Sequence, residues 1–331
     1  MKFVIVTVLI VLLFLLNLFL GSVDIPARQV LDILLGADGY GAAGFIVTGS
    51  RLPMAVTALF AGAGLAVSGL MLQTAFRNPL AGPSVLGINS GASLGVALVM
   101  LLLGGTISAG SYTLGGYAAV IVGAFAGSIL IMGVLLFLSS MLRNTLMLLI
   151  TGIMIGYLTS SVIMLLNFIS TAEGVQSYVM WGMSSFNGVS MQQLPLFSAI
   201  TLAGIGISLL LIKPLNIMLL GDGYAQNLGI NLHRVRNMLL LATGILTAVI
   251  TAYCGPVAFI GLSVPHIARL IFRTDNHRVL MPGTLMTGSI VALGCNLLCV
   301  LPANSVIPLN AVTPLIGAPV VIWVLFKHRS R

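Results

Sequence analysis

A polar stretch, "LLGDGYAQNLGINLHRVRN" at 219–237, stands out in a sequence that is otherwise overwhelmingly apolar. It holds Asp222, His233, Arg234 and Arg236 in a chain that is 59% hydrophobic and only 6% charged. A carboxylate here can cap a short helix, because its oxygens accept hydrogen bonds from the free N–H groups of the first turn. A polar stretch with helix-forming residues is unusual in so apolar a chain, and the question is which surface or partner it contacts.

Within this stretch, "GDGYAQNLGIN" is interpreted as two short helical pieces. Asp222 is predicted to cap the first piece, and Gly229 to end it in a left-handed turn. Ala225 and Leu228 are three residues apart and are expected near one face. A small and an apolar residue on an exposed turn suit docking into a groove of a partner protein. A solvated loop between helices is the alternative interpretation.

Carboxylates at membrane depth, which proton- and sodium-driven transporters use for coupling, are not predicted in this chain. The sequence also has no GxxxxGK[ST] phosphate loop. Transport against a gradient would therefore need free energy from another subunit, and the stretch at 219–237 is where such a subunit could act. The six acidic residues all fall in predicted loops or at predicted membrane surfaces: Asp24, Asp32, Asp38, Glu173, Asp222 and Asp275.

Two further groups of residues favour structural roles. His266 and Arg269 are three apart and can share a helical face, where a cap or a contact to a neighbouring loop is preferred over a proton relay. Cys295 and Cys299 are four apart and could bind a soft metal, but with no third ligand nearby helix packing is preferred. We expect neither a metal site nor a catalytic residue in this chain.

The elements that position these residues are membrane-spanning helices. A soluble domain has about 25% charged residues, whereas several apolar runs here reach the roughly 20 residues that cross a hydrocarbon core of about 30 Å. The prediction is an all-α polytopic membrane protein, one transmembrane domain over 1–331 with approximate halves 1–168 and 195–331. Ten spans are predicted, at 3–20, 52–75, 85–104, 114–138, 145–168, 195–212, 237–254, 257–273, 283–302 and 309–326.

The basic residues orient these spans by the positive-inside rule. With the N-terminus inside, only Arg28 and Arg51 fall in outer segments, so both termini and the loop at 213–236 are expected in the cytoplasm. The net charge of +8 is spread along the chain one or two residues at a time, so lipid and not nucleic acid is the expected contact. The predicted cytoplasmic basic residues are Lys2, Arg77, Arg143, Lys213, Arg234, Arg236, Arg269, Arg273, Arg278, Lys327, Arg329 and Arg331.

An internal repeat relates the two halves. "GPSVLGINSG" at 82–91 and "GPVAFIGLSVP" at 255–265 both open a span with Gly-Pro. They open the third and eighth predicted helices, and an offset of five makes the halves inverted, as in many transporters. Chance similarity of apolar segments is the rival explanation.

Four blocks, in order and correctly spaced, resemble the FecCD family of permeases, the membrane subunits of type II ABC importers for iron-siderophores, haem and vitamin B12. The first, at 50–95, includes "SRLPMAV" and "QTAFRNPLAGPSVLG". The second, "LGDGYAQNLGIN" at 220–231, is similar to the family's cytoplasmic coupling segment. The third and fourth are "CGPVAFIGLSVPHIARL" at 254–270 and "LIGAPVVIWVL" at 315–325.

The resemblance implies a type II ABC importer permease fold in a bacterial inner membrane, with ten helices per subunit and a pathway along the axis of a homodimer. It also implies two cytoplasmic ATPases, which bind ATP and Mg²⁺, and a periplasmic or lipoprotein substrate-binding protein. No cofactor is expected on this chain. The ATPase-coupling loop would use the residues that match the family motif: Gly221, Asp222, Ala225, Leu228 and Gly229.

The chain departs from the family pattern at its outer end. Met54 stands where the family commonly has an arginine, and Asn296 and Val300 occupy an Asp and an Arg position. In the family such arginines face acidic residues of the binding protein. Docking of the binding protein is therefore predicted to rest on Arg51, helped by Arg28.

Candidate pathway or gate residues lie in two outer segments that resemble family blocks. The segment 176–190 is expected to form a short outer helix over the pathway, with membrane anchoring as the alternative. The segment before the tenth span replaces a family glycine by an amide. The candidates are Trp181, Met183, Ser184, Phe186, Asn310 and Thr313.

The sequence therefore predicts a permease subunit that moves an iron chelate, haem or a corrinoid inward and does no covalent chemistry itself. A permease for a small oxyanion such as molybdate is the alternative within transport. An intramembrane enzyme would need catalytic polar residues facing each other at membrane depth, and none are apparent. A channel would need no docking loop, so a charge at Leu228 should then be harmless.

Overall fold

The computed structural model describes residues 1–37, 39–84, 86–109, 112–142, 145–302 and 306–329. The helices are α1 (Lys2–Phe19), α2 (Ala27–Leu34), α3 (Gly41–Gly44), α4 (Leu52–Phe76), α5 (Ile88–Ala97), α6 (Gly116–Met141), α7 (Thr145–Ile169), α8 (Ala172–Gly182), α9 (Leu194–Leu210), α10 (Ile212–Met218), α11 (Asp222–Asn227), α12 (Leu232–Cys254), α13 (Ile260–Phe272), α14 (His277–Val300) and α15 (Leu309–Arg329). π-helical turns at Phe45–Arg51 and Leu98–Leu102 adjoin α4 and α5. The prediction of an all-α fold is confirmed, with one short antiparallel hairpin of β1 (Thr106–Ala109) and β2 (Tyr112–Gly115).

Each predicted span corresponds to a helix of the described chain. Six helices are long and apolar enough to cross a membrane, and α9 with α10 forms a further span bent by 47°. The three remaining predicted spans are the shorter apolar helices Ile88–Leu102, Ile260–Phe272 and Leu309–Trp323. The predicted seventh and ninth spans start later than the observed helices, since α12 begins at Leu232 and α14 at His277.

Contacts between helix ends define two ends of the bundle. At the end that we call the basic end, Lys2 Nζ donates to the carbonyl of Phe272 at 3.4 Å, joining the start of α1 to the end of α13. At the opposite, distal end, Tyr117 Oη donates to the carbonyl of Tyr253 at 2.5 Å, joining the start of α6 to the end of α12. The predicted cytoplasmic basic residues belong to the basic end, except that Arg143 and Arg331 lie outside the described residues, as do the side chains of Lys327 and Arg329.

The helices α4 and α12 form the centre of the bundle. In their apolar windows, 83% and 78% of residues are buried, whereas most of α1 and α7 is exposed on the isolated chain. The sequence of α4 explains its position, because its many small residues let neighbouring helices approach closely. A Cβ on Gly62 would lie 2.3 Å from the carbonyl oxygen of Gly288 in α14, so only glycine fits this crossing.

The packing of the helices supports the inverted repeat. In this repeat, α4, α5, α6 and α7 correspond to α12, α13, α14 and α15. The contacts α5–α6, α5–α7, α6–α12 and α5–α12 then have the counterparts α13–α14, α13–α15, α14–α4 and α13–α4. All of these contacts are present. The short helices α5 and α13 are also both preceded by a residue in the left-handed region, Gly87 at φ 79° and Phe259 at φ 66°. The helices α1 and α9 have different neighbours and break the symmetry.

Candidate coupling segment and distal gate

The predicted coupling loop at 213–236 folds as most of α10, all of α11 and the start of α12. Gly229 has φ 80° and ends α11 in the predicted left-handed turn, with Ile230 N donating to the carbonyl of Ala225 at 3.0 Å. The prediction that Asp222 caps α11 is wrong. The N-cap is Gly221 at φ 117°, which has no side chain to make a cap bond, and Asp222 is the first helical residue.

Ala225 and Leu228 do not share an exposed face, contrary to the prediction. Ala225 is completely buried, whereas Leu228 is 56% exposed. The reason is that α11 packs against α10 and α12, so the side chain that faces those helices is enclosed. Ala225 therefore belongs to the packing of the segment and Leu228 to its surface.

The exposed surface of the segment is apolar. Leu219, Leu220 and Tyr224 are exposed together with Leu228, and Tyr224 reaches 66%. They lie beyond the end of α10 and on α11, outside the long spans. Apolar side chains grouped at a helix-bundle end favour contact with a partner protein. We call these four residues the coupling surface.

Arg77 holds this segment, a role that the sequence analysis missed. Arg77 follows α4 in the left-handed conformation at φ 46°. Its Nη2 donates to Asp222 Oδ1 at 2.9 Å and to the carbonyl of Met218 at 3.3 Å. Its place in the block at 50–95, next to Asn78-Pro79, was a signal that the residue matters, but nothing in the sequence pointed to Asp222.

A second arginine lies behind α11. Arg236 is buried, and its Nη2 donates to the carbonyls of Ser139 and Leu142, the latter at 3.0 Å, at the end of α6. Arg236 and Asp222 line the same cavity of about 70 Å³, together with His233. Asp222 is thus paired with Arg77, which follows α4, and shares a cavity with Arg236 of α12.

At the distal end, the structure places Arg51, the residue predicted to dock a binding protein, away from the surface of the isolated chain. Arg51 is only 3% exposed. Its Nη1 donates to the carbonyls of Leu18 at 3.0 Å and Phe19 at 2.9 Å, and its Nη2 donates to the carbonyl of Val23. The guanidinium caps the end of α1, because the last carbonyls of a helix have no partners within the helix.

Arg28 remains available at the distal end, since it is exposed on α2. The three positions that depart from the family pattern, Met54, Asn296 and Val300, line one pocket of about 200 Å³. Its lining residues, all within the described chain, carry no charge. Asn296 also donates to Asn17 Oδ1 at 2.7 Å, which joins α14 to α1 through a buried pair of amides.

The predicted gate residue Asn310 connects three segments. Its Nδ2 lies at 3.0 Å from the carbonyl of Gly182, and at 2.9 Å from both Ser184 Oγ and the carbonyl of Pro256. Its Oδ1 accepts from Ala258 N at 3.1 Å. One amide therefore joins the end of α8, the link between α12 and α13, and the start of α15. We call this arrangement the distal knot.

The other predicted gate residues lie around the distal knot. The expected short helix is α8, but it ends at Gly182, before Met183, Ser184 and Phe186. Ser184 is buried with φ 61° and takes part in the knot, Met183 is partly exposed, and Phe186 is in the core. Among the described residues, Trp181 Nε1 and Thr313 Oγ1 are buried atoms without a hydrogen-bond partner.

Two smaller predictions can be compared with the structure. His266 Nε2 donates to the carbonyl of Pro79 at 2.9 Å, which confirms the expected contact to a neighbouring loop. The five acidic residues other than Asp38, which lies outside the described residues, are all outside the ten span helices. Within the described chain, no three His, Cys, Asp or Glu residues lie close enough to hold a metal ion.

Comparisons with known proteins agree with this geometry. The family model of the FecCD transport family matches residues 9–327. The chain is 37% identical to the vitamin B12 import system permease protein BtuC of Klebsiella pneumoniae over 282 residues, 85% of this chain and 82% of that protein. The same protein of Salmonella typhi is 37% identical over 278 residues, 84% of this chain and 82% of that protein.

A solved structure, described as an inward-facing conformation of a metal-chelate type ABC transporter, aligns with a TM-score of 0.84. It is 29% identical in sequence, and the alignment covers 97% of each chain.

The fold and the family match define a polytopic transport permease. The chain belongs to the FecCD transport family. It is a permease of a type II ABC importer, a class that works with ATPase and substrate-binding partners.

Proposed function

We propose that this permease moves a bulky metal chelate, haem or corrinoid across a bacterial inner membrane into the cytoplasm. Two copies form the pathway, and ATPase subunits that bind ATP and Mg²⁺ dock on the coupling surface. The basic end, including both termini, faces the cytoplasm, because its excess of Lys and Arg follows the positive-inside rule. A substrate-binding protein delivers the ligand at the distal end.

The observation that carries this proposal is the coupling surface itself. Leu219, Leu220, Tyr224 and Leu228 are exposed at the end where the basic residues collect. Among the described residues, no carboxylate lies in a span, where it could drive transport with protons. Free energy must then enter from a partner, and an apolar surface is where a partner groove can hold the chain.

The distal end supports a bulky cargo over a small oxyanion. The pocket beside Asn296 and Val300 is lined by hydroxyl, amide, thiol and apolar groups. An oxyanion is held most strongly by cationic donors such as Arg or Lys, and none is among the described residues that line this pocket. The relatives that import vitamin B12 also favour a large ligand.

The test is transport by the permease reconstituted in liposomes with its ATPase and binding protein. Uptake of cobalamin, a ferric siderophore, haem and molybdate is measured together with ATP hydrolysis. We expect one of the three large ligands to stimulate hydrolysis and accumulate, and molybdate to do neither. Accumulation of molybdate alone would contradict the proposed substrate class.

The docking site is tested by Leu228→Asp, because a charge on an apolar contact should weaken ATPase binding. The matched control is Leu35→Asp, since Leu35 is 85% exposed at the distal end. We expect Leu228→Asp to lose ATP-driven uptake and the control to keep it. Normal uptake by Leu228→Asp would overturn the docking site.

A further inference from the structure

We propose that the ion pair between Arg77 and Asp222 transmits movement of α11 to the central helix α4, and so positions the coupling surface for transport. This inference rests on the proposed docking of ATPases at that surface. It assigns Arg77 and Asp222 as positioning residues that lie between the docking surface and the bundle.

The geometry places one guanidinium between two helices of the coupling segment. Arg77 Nη2 is 2.9 Å from Asp222 Oδ1 and 3.3 Å from the carbonyl of Met218. Met218 ends α10 and Asp222 begins α11, so Arg77 holds the corner between them. A force on α11 therefore reaches Arg77 directly.

Arg77 in turn is rigidly connected to the core. It follows α4 directly, and Arg77 N donates to the carbonyls of Gln73 and Thr74 in the last turn of that helix. The helix α4 is largely buried and contacts α9, α12, α13 and α14. A displacement of its basic end cannot be absorbed locally, because interiors are close-packed.

The second central helix also lies near Asp222. Asp222 shares its small cavity with Arg236, which lies in the second turn of α12 and is fixed to the end of α6 by its carbonyl contacts. The helices α4 and α12 are mates in the inverted repeat. One carboxylate on α11 thus lies beside the basic ends of both symmetry-related central helices.

The exposure of the pair fits a role in docking. Both side chains are about half exposed in the isolated chain, 53% for Arg77 and 51% for Asp222. Exposed pairs contribute little, since water screens them. A protein docked over the coupling surface would exclude that water and strengthen the pair, because the effective dielectric falls. The connection to α4 would then be strongest when the ATPase is bound.

The first test uses the permease alone in nanodiscs, with amide hydrogen exchange measured across 218–230. Arg77→Ala and Asp222→Asn should each speed exchange of α11 by about two- to fivefold, as expected for loss of an exposed ion pair. Arg234→Ala is the matched control, because Arg234 is an exposed arginine beside the segment and no ion pair of its side chain is observed. Unchanged exchange in both single variants would overturn the proposal.

The second test measures uptake per ATP hydrolysed by the complete importer. Both single variants should keep ATPase binding but lower this ratio by about two- to fivefold. The double variant Arg77→Asp with Asp222→Arg should restore most of it, because aspartate tolerates the left-handed conformation at position 77. A residue that only stabilised the fold would change protein yield and not this ratio.

The two proposals fail in different ways. Normal ATP hydrolysis and uptake in Leu228→Asp would overturn docking at the coupling surface while leaving the exchange result intact. A normal ratio of uptake to hydrolysis in Arg77→Ala, Asp222→Asn and the charge-swapped variant would overturn the transmission role while leaving docking intact. Equal effects of Arg234→Ala and Arg77→Ala would also overturn it.

Discussion

The two ends of the bundle differ in their ion pairs, although a buried arginine donates to carbonyls at each end, Arg236 at the basic end and Arg51 at the distal end. At the basic end, the ion pairs Arg77–Asp222 and Arg269–Asp275 lie partly in water. At the distal end, the contacts are short hydrogen bonds of Arg51 and Asn310 to carbonyls and other neutral acceptors. Partly exposed ion pairs are weak and easily remade, whereas a buried donor that loses its acceptors is costly.

This difference indicates that one end of the bundle can move more easily than the other. The basic end can shift while no partner is docked, since little free energy then opposes the loss of an exposed pair. The distal knot holds the end of α8, the link between α12 and α13 and the start of α15 in a fixed relation. Four predictions test this difference between the two ends, in order of decreasing effect on stability or exchange.

The largest effect is expected for Arg51→Ala. The substitution leaves the carbonyls of Leu18, Phe19 and Val23 without their charged donor. Hydrogen bonds to charged groups contribute about 1.5–3 kcal/mol each, so we expect a loss of about 3 kcal/mol or more in the free energy of unfolding. Thermal unfolding in detergent measures this loss.

The control for Arg51 is Arg28→Ala, which removes the same charge from an exposed position. It should leave the midpoint of thermal unfolding unchanged. If Arg51→Ala unfolds like the wild type and instead weakens binding of the substrate-binding protein, Arg51 is a docking residue after all.

The next effect is expected for Asn310→Ala, which removes the distal knot. We expect a loss of about 2 kcal/mol, because several buried partners are left unsatisfied. Hydrogen exchange should accelerate together around Gly182, Ala258 and the start of α15, since one side chain joins all three. Acceleration near α15 alone would show that the knot does not connect the segments.

A smaller effect is expected in the amide pair of Asn17 and Asn296. Asn17→Ala leaves Asn296 with an unpaired buried amide, which costs about 1–2 kcal/mol. The double variant with Asn296→Ala should cost less than the sum of the two single variants, because neighbours that share a hydrogen bond are not additive. Strict additivity of the thermal stabilities would contradict a direct pair.

The smallest effect is expected from salt. At 1 M salt the Debye length falls to about 3 Å, so the exposed Arg77–Asp222 pair should weaken while the distal knot does not. Hydrogen exchange of α11 should rise by about two- to fivefold at most, with no change around Gly182. Equal acceleration at both ends would remove the contrast between them.

Local patterns in the sequence predicted the features that depend on nearby residues. The ten spans follow from runs of apolar residues, and the left-handed turn at Gly229 follows from the freedom of glycine at positive φ. For His266, the sequence predicted a contact to a neighbouring loop but not the partner, which is the carbonyl of Pro79.

The errors concern contacts between residues far apart in the chain. Asp222 was expected to cap its own helix, but its partner Arg77 lies 145 residues earlier. Arg51 was expected to face a binding protein because outer arginines of the family do, yet its guanidinium is turned to the end of α1. Ala225 was placed on an exposed face by its spacing from Leu228, and only the packing of α11 on α10 and α12 shows that it is enclosed.

The most direct test of the account is the footprint of the ATPase on this permease. Hydrogen exchange of the permease in nanodiscs is compared with and without its nucleotide-bound ATPase. We predict new protection over 219–228, and none at the distal end around Gly182 and Asn310. Protection that spares 219–228 and appears on another part of the basic end would contradict the assignment of the coupling surface.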